Sequence, residues 1–153
     1  MKGLTWKINI DELDRIENAY YTIADTVRPQ IWEDEGITST QYQLLKTLSS
    51  KDKWTVTELA ESMKVRASAT TVIIDRLVKR NLVHRYRSEL DRRIVYIEIT
   101  NDGRLAFEKV KEKRNQIALH YLSKLSEEDY SHLLNSLEKL ADIVTNDEKK
   151  YDK

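Results

Sequence analysis

The stretch RSELDRRIVYIEIT, residues 87–100, changes character halfway along its length. Its first half is rich in charged residues, whereas its second half is rich in β-branched and aromatic residues, which predicts a strand. The preceding run LVHRYR, residues 82–87, predicts a second strand. Together they predict a β-hairpin with a charged turn. Composition alone makes this an ordinary exposed turn, so the preceding segments decide whether it has a more specific role.

Two helical segments precede the hairpin. The run TVTELAESMKV, residues 55–65, predicts a short helix with Thr57 as its N-cap. The run RASATTVIIDRLVKRN, residues 66–81, predicts the next helix, and Asn81 lies where a positive φ is needed to leave it. Helix, turn, helix and hairpin in this order predict a winged helix-turn-helix lobe over residues 38–100.

The second of these helices has two unlike faces when its residues are placed at 100° intervals. The face predicted to pack on the preceding helices comprises Thr70, Ile73 and Leu77, with Ile74 at its edge. The opposite face carries mainly small or polar residues, namely Ser68, Thr71, Val72, Asp75 and Lys79. Such a helix can enter a DNA major groove, because no bulky side chain near its start holds it away from the bases. An ordinary solvated face is the alternative.

Asp75 is the residue on this face that suits DNA least, because phosphates repel a carboxylate. Two roles remain compatible with DNA binding. Asp75 can pair with Lys79 one turn further on, or it can accept a hydrogen bond from a cytosine amino group.

The basic residues of the hairpin favour DNA binding over the alternative of an ordinary solvated face. Arg85 and Arg87 alternate along the first strand and therefore share one side of it, while Arg92 and Arg93 lie at the turn or just beyond it. Narrow minor grooves concentrate negative potential and attract arginine. A basic hairpin beside a helix with a small polar face is a consistent pair of DNA contacts.

Charge is unevenly distributed along a chain whose formal net charge is zero. Residues 64–93 contain nine basic and three acidic residues. Residues 10–36 contain eight acidic and two basic residues, and residues 126–153 contain eight acidic and four basic ones. A basic middle between acidic ends indicates one anion-binding surface on a separate scaffold.

The segments outside the lobe predict long amphipathic helices. The first covers residues 10–33, and Pro29 is expected to kink or interrupt it near its end. The second covers 101 to about 123 after a cap at Thr100, and the third begins with a capping box formed by Ser126 and Asp129. Their apolar stripes need either each other or a second copy of the chain as cover.

The lobe itself begins with one more helix, within GITSTQYQLLKTLSS at residues 36–50. Thr38 or Ser39 can cap it, and a very short strand is expected in KDKWT, residues 51–55. The fold class is therefore mainly α with a small β-hairpin wing, as a single-domain chain of 153 residues flanked by outer helices.

Several function classes are excluded or disfavoured. The chain contains no cysteine, which excludes disulfides and thiolate metal sites, and its three histidines include no pair at i, i+4 spacing. No run of about 18 apolar residues and no secretory signal is present, so a cytoplasmic protein without a membrane partner is expected. No nucleophile elbow, P-loop or glycine-rich loop occurs, so neither an enzyme nor a cofactor is expected.

The motifs of residues 36–103 together resemble the MarR family of bacterial transcription regulators. The matching pieces occur in the family's order and comprise Leu59-Ala60, Ser68 with Thr71, Asp75-Arg76-Leu77, Leu82-Val83 followed by Arg85, Asp91-x-Arg93, and Thr100-x-x-Gly103. One departure is Asn81, where the family usually has glycine. Asparagine tolerates the same backbone conformation.

The resemblance implies an obligate homodimer, formed by helices within residues 8–35 and 101–146, on palindromic double-stranded DNA. Two-fold symmetry would place the recognition helices in successive major grooves, about 10 bp apart. It also implies that Arg93, oriented by Asp91, enters the minor groove. The expected DNA contacts are Arg66, Ser68, Ala69, Thr71, Val72, Arg76, Lys79, Arg85, Arg87, Asp91 and Arg93. A repressor is expected, and a winged-helix module that binds another protein is the alternative.

Members of this family often respond to small, usually anionic aromatic ligands, which bind between the dimerisation helices and the DNA-binding lobe. The resemblance therefore implies an effector site that relieves DNA binding. The candidate lining residues are Tyr20, Ile23, Trp32, Tyr42 and Phe107. The alternative for this aromatic set is ordinary hydrophobic core.

Overall fold

The structure is a computed structural model that describes residues 8–32 and 36–151, with side chains as far as 147. In these ranges the chain forms six helices and three strands, which are α1 (Ile10–Trp32), α2 (Ser39–Leu48), β1 (Trp54–Thr55), α3 (Val56–Ser62), α4 (Ala67–Lys79), β2 (Val83–Arg87), β3 (Val95–Ile99), α5 (Asn101–Leu122) and α6 (Glu127–Tyr151). This order confirms the predicted fold class. Residue 33, the predicted end of the first helix, lies outside the described residues.

Two compact units make up the chain, one containing residues up to Arg114 and the other residues from Asn115 onward. Of the two effects expected of Pro29, a kink or an interruption, the interruption is wrong, because α1 continues through it to Trp32. Proline so close to the end of a helix removes only one of its last backbone hydrogen bonds. Within the described ranges, no helix is long and apolar enough to cross a membrane.

Capping boxes begin the first two helices of the winged-helix lobe. At α2, the Thr38 hydroxyl accepts from the Gln41 amide at 3.3 Å, which selects Thr38 over the other predicted cap. At α3, the Thr55 hydroxyl accepts from the Glu58 amide at 3.2 Å. The predicted cap Thr57 is therefore wrong, because β1 runs directly into α3 and Glu58 completes a box with the residue three positions earlier.

Glu58 is held by three groups at this helix start. Its carboxylate accepts from the Thr55 amide and from the Lys51 ammonium group, both at 2.7 Å, and from the Thr55 hydroxyl at 3.0 Å. The Lys51 hydrogen bond is the main cause that lowers the pKa of Glu58 to about 2, and the Thr55 amide adds to it. Glu58 therefore stays ionised down to acidic pH and fixes the start of the helix-turn-helix.

The core of the first unit lies between α2, α3, α4, the sheet and the start of α5. Its fully buried apolar residues are Leu44, Leu45, Leu48, Leu59, Ile74, Leu77, Val83, Ile97 and Val110. The sheet order is β1-β3-β2 and both pairings are antiparallel. Alternate residues of the central strand β3, Ile97 and Ile99, point into this core.

The inward face of α4 differs slightly from the predicted one. Thr70, Ile74 and Leu77 are fully buried, whereas Ile73 is only half-buried. The helix is thus rotated toward Ile74, which was predicted at the edge of the face. The opposite side of its first turns remains available to solvent.

A junction at Thr100 joins the ends of α4, β3 and α5. The Thr100 amide donates to the Leu82 carbonyl at 3.1 Å, and its hydroxyl donates to the Asn81 carbonyl at 2.8 Å. The same hydroxyl accepts from the Gly103 amide at 2.9 Å, which confirms the predicted cap of α5. Asn81 has φ +57°, so the predicted left-handed exit from α4 is confirmed as well.

Gly103 allows this junction to close. A Cβ at this position would lie 2.0 Å from the Leu82 carbonyl oxygen and 2.9 Å from Ile99 Cγ1. The nearest clash is with backbone, which cannot rotate away as a side chain can. The Thr100-x-x-Gly103 spacing therefore combines a helix cap with a close approach between α5 and the loop after α4.

We expect Gly103→Ala to lower the free energy of unfolding by about 3 kcal/mol or more, because backbone must move to admit the methyl group. Urea titration at fixed protein concentration measures this change. Gly36→Ala is the matched control, because its Cβ would meet Arg80 at an ordinary 3.6 Å and only the positive φ (+59°) is unfavourable. The control should lose about 1–2 kcal/mol. Equal losses in the two variants would contradict the close-approach explanation.

Candidate nucleic-acid interface

The start of α4 presents a flat surface of small side chains. Ser68 and Ala69 are exposed, and Val72 is about half exposed. Arg66 occupies the N-cap position with an extended backbone and makes no side-chain capping bond. Its guanidinium group is therefore not used to begin the helix. This surface can approach base edges closely, as a major-groove helix requires.

Thr71 is more constrained than the sequence indicated. It is half-buried, and its hydroxyl donates to the Ala67 carbonyl at 3.0 Å. Because the hydroxyl proton is used inside the helix, Thr71 offers an outside partner its methyl group and an oxygen lone pair. Arg76 and Lys79, predicted further along the same helix, are both exposed.

The tip of the wing is closed by its own hydrogen bonds. The Ser88 amide donates to the Ile94 carbonyl, and the Ile94 amide donates to the Asp91 carbonyl, both at 2.9 Å. Ser88 is buried although it lies in the turn. Leu90, in contrast, is fully exposed at the tip. The turn is thus a defined structure that holds its outermost residues in place.

Asp91 and Arg93 form a two-pronged ion pair at this tip. Arg93 Nε and Nη2 donate to the two Asp91 carboxylate oxygens at 3.1 and 3.0 Å, and the Arg93 amide donates to the same carboxylate at 2.9 Å. These bonds lower the pKa of Asp91 and raise the pKa of Arg93. The Arg93 side chain is nevertheless 91% exposed. It is oriented by its neighbour and remains accessible.

Arg85 and Arg87 lie on one face of the wing, as predicted, because they stand opposite Ile97 and Val95 on β3. Arg85 Nη1 lies 2.7 Å from Asp75 Oδ1 on α4. Pairing of Asp75 with Lys79 is therefore wrong, since the partner comes from the wing rather than from the next turn of the helix. Arg87 makes no ion pair with any residue in the described ranges.

The other face of the wing is aromatic and not basic in its centre. Tyr86 and Tyr96 stand opposite each other with ring centroids 5.9 Å apart. The Tyr86 hydroxyl donates to the Glu98 carboxylate, which raises the pKa of Tyr86 to about 12. The two faces of the wing thus differ in chemistry, and the arginine-bearing one is on the same side as α4.

Comparison with known proteins shows which family this chain is similar to. A family model described as the MarR family matches residues 37–95. The HTH-type transcriptional repressor MdtR of Bacillus subtilis (strain 168) is 33% identical over 137 residues, which cover 88% of this chain and 88% of that protein. The crystal structure of the YusO protein from Bacillus subtilis is 31% identical with a TM-score of 0.74, covering 89% of this chain and 99% of that one. The chain belongs to the MarR family.

The predicted resemblance is thus confirmed. The family consists of transcriptional regulators, which are not enzymes. Streptococcus pneumoniae FabT, in its crystal structure in complex with DNA, matches this MarR-family chain with a TM-score of 0.72 over 90% of this chain and 99% of that one. At 17% identity that likeness concerns the fold.

Three of the five predicted effector residues line a surface crevice of about 310 Å³ at the C-terminal half of α1. These are Tyr20, Ile23 and Trp32. The other two, Tyr42 and Phe107, are buried in the core and stack on each other at 5.3 Å. The set therefore divides into three residues that line the crevice and a pair in the core.

Two arginines of the crevice were not predicted. Arg28 and Arg114 line it together with apolar residues of α1. Arg114 Nη1 also donates to the Tyr42 hydroxyl at 2.9 Å, so it connects the crevice to the core pair. No local sequence pattern signals this contact, since the two residues are 72 positions apart. The residues described by the structure contain no cluster of three potential metal ligands.

We expect Asp91→Asn to release the Arg93 side chain, because the amide offers one acceptor oxygen and no charge. The order parameter of the Arg93 Nε–H group, measured by ¹⁵N relaxation, should fall toward that of exposed Arg92. Glu89→Gln is the matched control, since it removes a carboxylate from the same turn without touching Arg93. An Arg93 side chain that is equally restrained in both variants would rule out Asp91 as its brace.

Proposed function

We propose that this MarR-family regulator is a homodimer that binds a palindromic operator in double-stranded DNA and represses transcription. In this proposal α4 enters the major groove, and Arg93 at the wing tip enters the adjacent minor groove. The observation that carries the proposal is Arg93 itself. It is nearly fully exposed, yet three hydrogen bonds to Asp91 fix its direction. A fixed arginine loses less rotamer entropy on entering a groove than a free one.

The charges around α4 and the wing support DNA as the partner. Two of the three acidic residues between 64 and 93, Asp75 and Asp91, are paired with arginines of the wing. Five exposed basic residues of this stretch form no ion pair within the described ranges, namely Arg66, Arg76, Lys79, Arg87 and Arg92. The local surplus of positive charge is thus available for phosphates.

A second copy of the chain is the proposed cover for the outer helices. On α6, the stripe formed by Leu133, Leu137, Leu140 and Val144 is between 41% and 57% exposed. The apolar residues of α1 from Ile10 to Ile23 are exposed as well. Stripes of this length are unusual on a monomeric surface and are typical of interfaces. Two-fold symmetry then explains a palindromic operator with half-sites about 10 bp apart.

Repression is proposed because a relative that is 33% identical over nearly the whole chain, MdtR of B. subtilis, is a transcriptional repressor. Release by an effector is proposed because the α1 crevice combines apolar walls with Arg28 and Arg114. Apolar walls with two cations suit a small anion that carries an aromatic or other apolar group. A cytoplasmic location follows from this role as a DNA-binding regulator.

The alternative, a winged-helix module that binds another protein without DNA, gives no reason for the surplus of exposed basic residues beside α4. The two proposals differ in their response to salt. A DNA duplex releases condensed counterions when cations of a protein replace them, so its affinity falls steeply as salt rises.

The direct experiment is a fluorescence titration of the full chain with duplex DNA from upstream of its own gene, at several salt concentrations. We expect Arg93→Ala to weaken operator binding by about 1–3 kcal/mol and to reduce the preference for operator over random DNA. Arg92→Ala is the matched control, since it removes the same charge from the same turn without removing the braced side chain. It should cause a smaller, sequence-independent loss.

Equal losses of operator affinity in the two wing variants would show that Arg93 contributes only as a surface charge. A wild-type affinity that is insensitive to salt, or no preference over random DNA, would contradict DNA recognition and favour the protein-binding alternative.

The homodimer has its own test. Leu137→Glu places a charge in the middle of the exposed α6 stripe, so we expect sedimentation at micromolar concentration to shift from dimer to monomer. Asn135→Glu is the matched control, because residue 135 lies on the opposite side of the same helix. A wild-type chain that sediments as a folded monomer would contradict the proposal, as would a Leu137→Glu variant that remains dimeric.

A further inference from the structure

The ion pair between Asp75 and Arg85 joins the two elements that would contact DNA. Asp75 lies on the third turn of α4, after the small residues at its start, and Arg85 lies in the middle of β2. Their side chains approach to 2.7 Å. Among the residues that the structure describes, this is the only ion pair between α4 and the wing.

The pair lies where the hydrophobic anchorage of the wing ends. Arg85 stands opposite Ile97, which is fully buried, and the next pair outward is Arg87 with the half-buried Val95. The tip begins at Ser88, about 10 Å beyond Arg85 at the usual rise of a strand. A change of about 10° in the direction of the wing at Arg85 would therefore displace the tip by about 2 Å, which is more than a groove contact tolerates.

We propose that Asp75 and Arg85 are positioning residues that set the distance between the recognition helix and the wing tip. This inference rests on the proposed DNA-binding function. It assigns Arg85 a different role from its basic neighbours, because its charge is directed to Asp75 and not to a phosphate. It also removes Asp75 from the residues that would contact bases, since its carboxylate is turned to the wing.

An ion pair with both side chains about half exposed contributes little to stability in water. Its effect is therefore on geometry, and the variants are expected to fold normally. The opposite possibility is that Arg85 leaves Asp75 in the complex and neutralises a phosphate. These two roles differ in salt dependence, because each lost phosphate contact lowers the slope of log affinity against log salt by about 0.9.

The test uses an operator selected by the wild-type protein from random duplexes, titrated at several salt concentrations. Asp75→Asn and Arg85→Gln should each weaken operator binding about tenfold with the wild-type salt slope, and the double variant should lose no more than either one. Arg87→Gln is the matched control on the same strand face, and its slope should fall by about 0.9. A slope that falls equally in Arg85→Gln would overturn the positioning role, as would tighter or unchanged binding by Asp75→Asn.

A measurement without DNA separates this inference from the proposed function. The chain has no cysteine, so spin labels can be attached specifically through Ser68→Cys on α4 and Leu90→Cys at the tip. Doubly labelled protein, diluted with an excess of unlabelled protein, gives the distance between them. Asp75→Asn should broaden that distance distribution, whereas an unchanged distribution would overturn the inference. If the wild type binds no DNA, the proposed function fails and this distance measurement still decides the mechanical role of the pair.

Discussion

The hydrogen bonds of Thr100 are the constraint on which the arrangement of α4, the wing and α5 depends. One residue donates its amide to Leu82, donates its hydroxyl to Asn81 and accepts from Gly103. Asn81 and Leu82 form the exit from α4 into β2, and Thr100 follows β3 directly. The two ends of the hairpin are therefore tied together at the point where α4 stops. The wing cannot change its base without breaking a buried or half-buried hydrogen bond, which is unfavourable because the groups would lose their partners away from water.

Further out along the wing, ion pairs take the place of buried hydrogen bonds. Beyond the core layer at Ile97, Asp75 pairs with Arg85 and orients the wing, and Asp91 pairs with Arg93 and orients its side chain. Both pairs are exposed to solvent, so they add little to folding. Each uses a carboxylate to hold an arginine, which explains why acidic residues occur within a stretch that is basic as a whole. On the proposed function, fold stability and DNA-contact geometry would therefore depend on different sets of residues, and a substitution could alter the second without the first.

Local patterns predicted much of this structure. Alternation marked both strands of the hairpin, the left-handed exit at Asn81 was visible from its position, and the cap at Thr100 followed from its place before a helix. The brace from Asp91 to Arg93 was implied by the resemblance to the MarR family, whose Asp-x-Arg motif these residues match. All these features depend on residues that are near each other in the chain, where geometry is nearly fixed by secondary structure.

The predictions that local patterns could not decide concern contacts between different helices and strands. Helical spacing offered Lys79 as the partner of Asp75, but the direction of the wing brings Arg85 closer. For Tyr42 the resemblance left an effector site and ordinary core open, and the structure places it in the core, where it receives a hydrogen bond from Arg114. Thr57 failed as a cap because the short strand β1 moves the start of α3 two residues earlier. In each case tertiary packing selects among options that the local pattern leaves equal.

The zero net charge of the chain conceals an uneven distribution of charge along the sequence. Acidic residues exceed basic ones by six in residues 10–36 and by four in residues 126–153, whereas basic residues exceed acidic ones by six in residues 64–93. A uniformly basic protein would attract DNA in many orientations. On the proposed function, a basic stretch flanked by acidic segments would favour approach to DNA through α4 and the wing. Salt screens this steering over about 10 Å, but contacts within the grooves are closer than that distance. In the proposed complex, charge distribution would therefore orient the first encounter, and the braced arginine and the small face of α4 would supply the discrimination that follows.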